Sequence, residues 1–122
     1  MSKNLRKGLR FEVQARNYLQ ASGLVLLHSN YRCRFGEIDL VMRDDDTLCF
    51  IEVKFRESQL FGGAAASIPL AKQRRIIKTA LCYIASNKNL ANHAMRFDAL
   101  LIQHRADGSN HINWIRNAFY AE

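Results

Sequence analysis

Apolar residues open the chain at helical spacing. Leu5, Leu9, Ala15, Tyr18 and Leu19 fall near one face, which predicts a helix over about Asn4–Ala21, stopped by Gly23. A Val- and Leu-rich run at about Leu24–Arg32 then reads as a strand. Gly36–Arg43 and Leu48–Arg56 alternate apolar and polar positions and read as two strands joined through the polar turn Asp44-Asp-Asp-Thr47. Ser58–Ser67 is rich in Gly and Ala and reads as a loop. Ser67-Ile-Pro-Leu70 opens a second helix, with Ser67 as N-cap and Pro69 in the first turn, ending near Asn87. Met95–Gln103 and His111–Ile115 form a last pair of strands about the Asp107-Gly108 turn. The order αβββαββ predicts helices set apart from a largely antiparallel meander, an α+β or mixed-sheet α/β fold.

With 122 residues the chain has room for one domain and one core. It contains no run of about 18 apolar residues, and its basic N-terminus lacks the apolar stretch of a signal peptide. A cytoplasmic protein with no membrane span is expected. Cys33, Cys49 and Cys82 form no CxxC pair and have no histidine at zinc-finger spacing, so Cys49 and Cys82 read as small apolar packing residues.

Charge adds a pattern. The formal charge is +7, and residues 1–34 carry seven Lys and Arg against Glu12 alone. Lys72, Arg74, Arg75 and Lys78 form a second basic segment, while residues 36–57 hold seven of the eleven acids. An acidic focus between two basic flanks is what phosphodiester chemistry needs, with metal ligands in the middle and phosphate grips at the sides.

The acidic focus can be placed in space. Along strands side chains alternate, so Glu37, Asp39 and Val41 share a face, as do Phe50, Glu52, Lys54 and Arg56. If the turn closes symmetrically about Asp45–Asp46, Asp39 lies opposite Glu52 and Glu37 opposite Lys54. Opposed carboxylates repel unless a cation joins them. Mg²⁺ commonly takes one or two carboxylates and fills its shell with waters and substrate phosphate. Lys54, beside the pair, could hold the attacking water or stabilise charge in the transition state. Ile38, Leu40, Met42, Ile51, Val53 and Phe55 are left for the core. The bland alternative is a hairpin with a solvated polar face. Glu12 sits on the apolar stripe of the first helix, where a carboxylate needs a cation or donors unless it reaches solvent at the stripe's edge.

At these residues the sequence resembles known proteins. Asp39 followed by Glu52-Val-Lys54 looks like the D…ExK core of the PD-(D/E)xK nuclease superfamily, and the acid on the preceding helix is similar to that of archaeal Holliday-junction resolvases. More closely, the chain resembles the bacterial YraN family of endonuclease-like proteins. The likeness runs through Glu12-Val-Gln-Ala15, Asn30-Tyr-Arg-Cys-Arg-Phe-Gly-Glu-Ile-Asp-Leu40, Phe50-Ile-Glu-Val-Lys-Phe-Arg56, Phe61-Gly62, Lys72-Gln-Arg-Arg75 and Arg96-Phe-Asp98. It implies a restriction-endonuclease-like core, Asp39 and Glu52 as ligands of Mg²⁺ or Mn²⁺, and Lys54 as the catalytic lysine. Glu12 would be a further acidic-site member, binding metal through water. Phe11 departs from the family pattern, which usually has glycine before the helix glutamate.

The implied activity is hydrolysis of phosphodiester bonds in DNA, of branched or damaged structure, by a metal-dependent endonuclease. The resolvase likeness allows a homodimer. The competing expectation is a noncatalytic nucleic-acid-binding protein that keeps the nuclease fold. In either case Lys72, Gln73, Arg74 and Arg75, at the start of the second helix, are expected to meet phosphate, with Gln73 able to reach the active site; a solvated cationic helix face is the equal alternative. Arg32 and Arg34 are expected to clamp nucleic acid, while Tyr31 and Phe35 beside them read more readily as strand-end packing than as stacking platforms. Arg96 and Asp98 read as a structural ion pair, and Trp114 as a core or interface residue.

Overall fold

A computed structural model describes residues 3–57 and 68–121, with side chains described for 10–56 and 68–121. The elements are α1 (Lys3–Ala21), β1 (Val25–Cys33), β2 (Gly36–Asp44), β3 (Thr47–Glu57), α2 (Leu70–Ser86), β4 (Ala94–His104) and β5 (Asn110–Phe119), with a single 3₁₀ turn at Lys88–Leu90. The expected loop at 58–67, the Ser67 cap, Phe61-Gly62 and the side chains of Leu5 and Leu9 lie outside the described residues.

Five strands form one sheet in the order β1-β2-β3-β4-β5. Three neighbouring pairs are antiparallel, but β3 and β4 run parallel. A parallel pair needs a crossover, and α2 lies in that connection. The helices are therefore not set apart from the sheet as expected: each covers one face. Phe11, Ala15, Leu19 and Leu24 pack on Leu40, Met42, Cys49, Ile51, Leu100 and Ile102. On the other face Ile76, Ala80 and Tyr83 of α2 pack on Ile38, Val41, Leu48, Phe50, Phe97 and Phe119. The result is a mixed α/β fold with a helix on either side of the sheet.

α1 stops as expected. Gly23 takes φ 101°, its N–H reaches the Gln20 carbonyl at 3.0 Å, and the Leu24 N–H reaches that of Leu19 at 3.1 Å. This pair of bonds closes the helix end, and Leu24 and Leu19 bury together. α2 starts two residues later than expected. Pro69 is its N-cap rather than a first-turn residue, and the Gln73 Nε2 donates to the Ile68 carbonyl at 2.7 Å.

The β2–β3 hairpin closes about Asp45–Asp46, with Asp44 paired to Thr47 and Asp45 at φ 50°. Its ladder ends at Leu40↔Ile51, one pair before Asp39. Strict alternation would have placed Ile38 with Leu40 and Met42, but Ile38 packs on the α2 side. Across from Asp39 on β1, the ladder passes from Ser29↔Leu40 to Tyr31↔Ile38, and the intervening Asn30 has φ 54°. The pleat thus slips at one level on both strands, and Asp39 is at that slip.

Candidate active site

The end of the β2–β3 ladder is where the acids gather. With no paired backbone opposite it, Asp39 Oδ2 accepts the Val53 N–H at 2.8 Å. Its carboxyl is part-buried, and its pKa is pushed up to about 7. Burial is the first cause, followed by the charge of Glu52. Glu12 and Glu37 add to the rise, and the Val53 N–H opposes it. The charges of three other acids therefore act on Asp39: Glu12 from α1, Glu37 from β2 and Glu52 from β3.

The concavity at this point, of about 240 Å³, is lined by Gly36, Glu37, Asp39, Glu52, Lys72, Arg75 and Ile76. Asp39 and Glu52 are thus brought into one cleft, as the sequence led us to expect. They do not oppose each other as a ladder pair. Two neighbours went unforeseen. Ile76 supplies the apolar floor. Gly36 lets α2 approach: it has φ 155°, and a Cβ there would come within 3.3 Å of Thr79 Oγ1. The signal for Gly36 was its place at the head of the Gly-Glu-Ile-Asp-Leu segment.

Cations close the cleft from α2. Lys72 Nζ lies 2.6 Å from Glu52 Oε1, whose side chain is only 11% exposed. Arg75 lines the same wall. Lys54 is part-buried two residues beyond Glu52 on β3 and stands outside the lining. Burial, then Arg56 and Lys72, lower its pKa, and Glu52 is the charge that raises it. Glu37 forms its ion pair with Arg32, 3.4 Å away on β1. Glu12 is part-buried on α1 and acts on Asp39 through its charge. Ahead of it Phe11 stacks on Phe55, with centroids 3.7 Å apart and planes at 13°, so this aromatic pins α1 to the strand that carries Glu52 and Lys54.

The remaining basic residues divide. Gln73, Arg74 and Lys78 line a different concavity, on the other side of α2, so Gln73 does not reach the acids. Arg34 lies over the Phe35 ring at 4.7 Å. Tyr31 packs edge-on to Tyr83 with centroids 5.0 Å apart, which makes it a packing residue. Asp98 is fully buried and accepts from Arg96, from Trp114 Nε1 at 3.0 Å and from the Asn117 N–H at 3.1 Å. It is a structural anchor, as expected.

Among the described residues, no three His, Cys, Asp or Glu side chains close on one point as a ready metal cage. The donor set present, two convergent carboxylates in a half-open cleft, is the sort a hard divalent cation uses when waters and substrate oxygens complete its shell. No helix among the described residues is long and apolar enough to cross a membrane.

The sequence profile described as Uncharacterised protein family UPF0102 matches residues 11–102, a span that holds Glu12, Asp39, Glu52, Lys54 and Lys72. A UPF0102 protein of Nitrosomonas europaea is 53% identical over 119 residues, covering 98% of each chain. A UPF0102 protein of Psychromonas ingrahamii is 50% identical over 113 residues, covering 93% of this chain and 88% of its own. One of Pseudoalteromonas translucida is 42% identical, covering 93% and 89%.

Proposed function

The chain belongs to the UPF0102 family, and from that premise we propose that its carboxylate cleft is the active site of a metal-dependent DNA endonuclease with a restriction-endonuclease-like core. The observation that carries the reading is the convergence of Asp39 and Glu52, with Asp39 raised to about 7 by burial and by its neighbour's charge. Such a pair is costly to a folded protein unless a cation is meant to enter it.

Asp39 and Glu52 would hold Mg²⁺ or Mn²⁺, which supplies Lewis-acid polarisation of the scissile phosphate. The other roles fall to side chains. Lys72 and Arg75 would grip phosphate oxygens on the α2 wall. For this Lys72 exchanges its contact with Glu52 for one with substrate. Lys54 would hold the attacking water and offset charge on the phosphoryl oxygens as the P–O bond breaks. Its lowered pKa eases proton exchange with that water. Glu12 would deepen the negative field from α1, and Phe11 on Phe55 would fix its distance.

A second reading has its own support. The 2.6 Å contact from Lys72 neutralises Glu52, and a site that kept this pair would bind nucleic acid without cutting it. Purified protein incubated with nicked, forked and four-way DNA and Mn²⁺ separates the two. Cleavage that disappears in Asp39→Ala supports the nuclease. Binding without cutting supports the noncatalytic protein.

A further inference from the structure

The second concavity on α2 differs in character from the first. It holds about 390 Å³ and is lined by Leu70, Gln73, Arg74, Ile77, Lys78 and Tyr120. The α2 members stand at helical spacing along one stripe. Tyr120 reaches them from beyond the end of β5, where buried Phe119 stacks on Phe97 with centroids 4.9 Å apart and holds the chain in place. Among the described residues Leu70 and Tyr120 are the two most exposed large apolar side chains, at 58% and 71%. Single exposed apolar side chains are ordinary. Here the two extremes share one groove with two cations.

That combination selects among occupants. The buried centre of a protein interface is enriched in Tyr and Arg but depleted of Lys, whereas Lys78 joins Arg74 beside this groove's apolar floor. A DNA duplex offers phosphates, but the faces of its bases are stacked inside it. An unpaired nucleotide offers both a π face for Tyr120, Leu70 and Ile77 and a phosphate on either side for the cations. The opposite flank of α2 carries Lys72 and Arg75, which line the carboxylate cleft. The two concavities therefore flank the same turns of one helix, about 10 Å across.

We propose that the groove formed by Leu70, Arg74, Ile77, Lys78 and Tyr120 takes an unpaired base of single-stranded DNA, across α2 from the strand in the carboxylate cleft. This deepens the nuclease reading and rests on it for the link to cleavage; the binding itself stands apart. It makes substrates with a single-stranded stretch, such as forks and flaps, the preferred class.

The test uses the full chain in a chelator, so that no cutting occurs. A labelled thymidine oligomer of about 20 nucleotides and a duplex of equal length are titrated at one fixed low salt concentration. Tyr120→Ala is expected to weaken single-strand binding by about tenfold, Tyr120→Phe by less than about twofold, and neither to change duplex binding. Because Tyr120 is largely exposed, an unchanged melting temperature serves as the folding control. Equal loss on both DNAs, or no loss on the single strand, overturns the proposal. Failure of the nuclease reading looks different: no variant cuts with Mn²⁺, yet single-strand binding still depends on Tyr120.

Discussion

Asp39 Oδ2 accepts the Val53 N–H at 2.8 Å, a side chain standing where a strand partner would otherwise be. The bond fixes the carboxylate in the seam between β2 and β3, against Glu52, and gives Asp39 a structural role and an electrostatic strain at once. Asp39→Asn separates them, because the amide oxygen can still accept from Val53 while the charge is gone.

The strain has a pH signature. A carboxyl held at about 7 when folded, against about 4 unfolded, binds its proton more tightly in the native state. Stability from this group is therefore fully present below about pH 4, falls as pH rises from about 4 to about 7, and is level above. In chelator, Asp39→Asn should gain on the wild type across that window, by up to about 4 kcal/mol at pH 8. Urea unfolding of both proteins at pH 4, 6 and 8 checks it. A difference that does not change with pH contradicts it.

Divalent cation should reverse the effect. At pH 7.5, Mn²⁺ at about 100 times its Kd should stabilise the wild type by about 2.7 kcal/mol. Asp39→Asn and Glu52→Gln should gain little. Thermal melts with and without Mn²⁺ read this directly.

Asp98 stands outside the cleft's lining, paired with Ile51 on the neighbouring strand, and anchors β4 to β5 through Trp114 and the Asn117 N–H, with Arg96 of its own strand as charge partner. Asp98→Ala leaves the Arg96 guanidinium, which also meets Asp44 at 3.1 Å, without its main partner. A loss of about 3–5 kcal/mol is expected. Asp98→Asn, which keeps an acceptor, should lose less. Denaturant midpoints of the two variants decide the order.

Phe11→Ala removes a buried ring stacked on Phe55 and should cost about 3 kcal/mol. Val13→Ala, on the exposed side of the same helix, should cost well under about 1 kcal/mol. If the two losses were alike, Phe11 would not be the pin that sets α1 against β3.

Much of the framework was legible because local chemistry decided it. Gly23 announced the end of α1, and the Asp45–Asp46 turn set the hairpin register that brought Asp39 and Glu52 to one place. What stayed hidden depends on contacts distant in sequence. The pleat slip at Asp39 cannot be read from alternation, since Ile38 looks identical whichever core receives it. The parallel β3–β4 pair follows from where α2 lands. β5 continues to Phe119 through a register shift, with Asn117 at φ 53°, so a period-two count stops early at Ile115. Gln73 was misplaced because adjacent positions on a helix face different ways: Lys72 and Arg75 turn to the cleft, Gln73 and Arg74 to the groove.

The most direct test is a crystal soaked in Mn²⁺ and measured at a wavelength where manganese scatters anomalously. An anomalous peak within about 2.2 Å of carboxylate oxygens of both Asp39 and Glu52, with Lys72 withdrawn from Glu52, is the predicted result. No peak there at millimolar Mn²⁺, with Lys72 still seated on Glu52, would contradict the cleft as a metal-dependent active site.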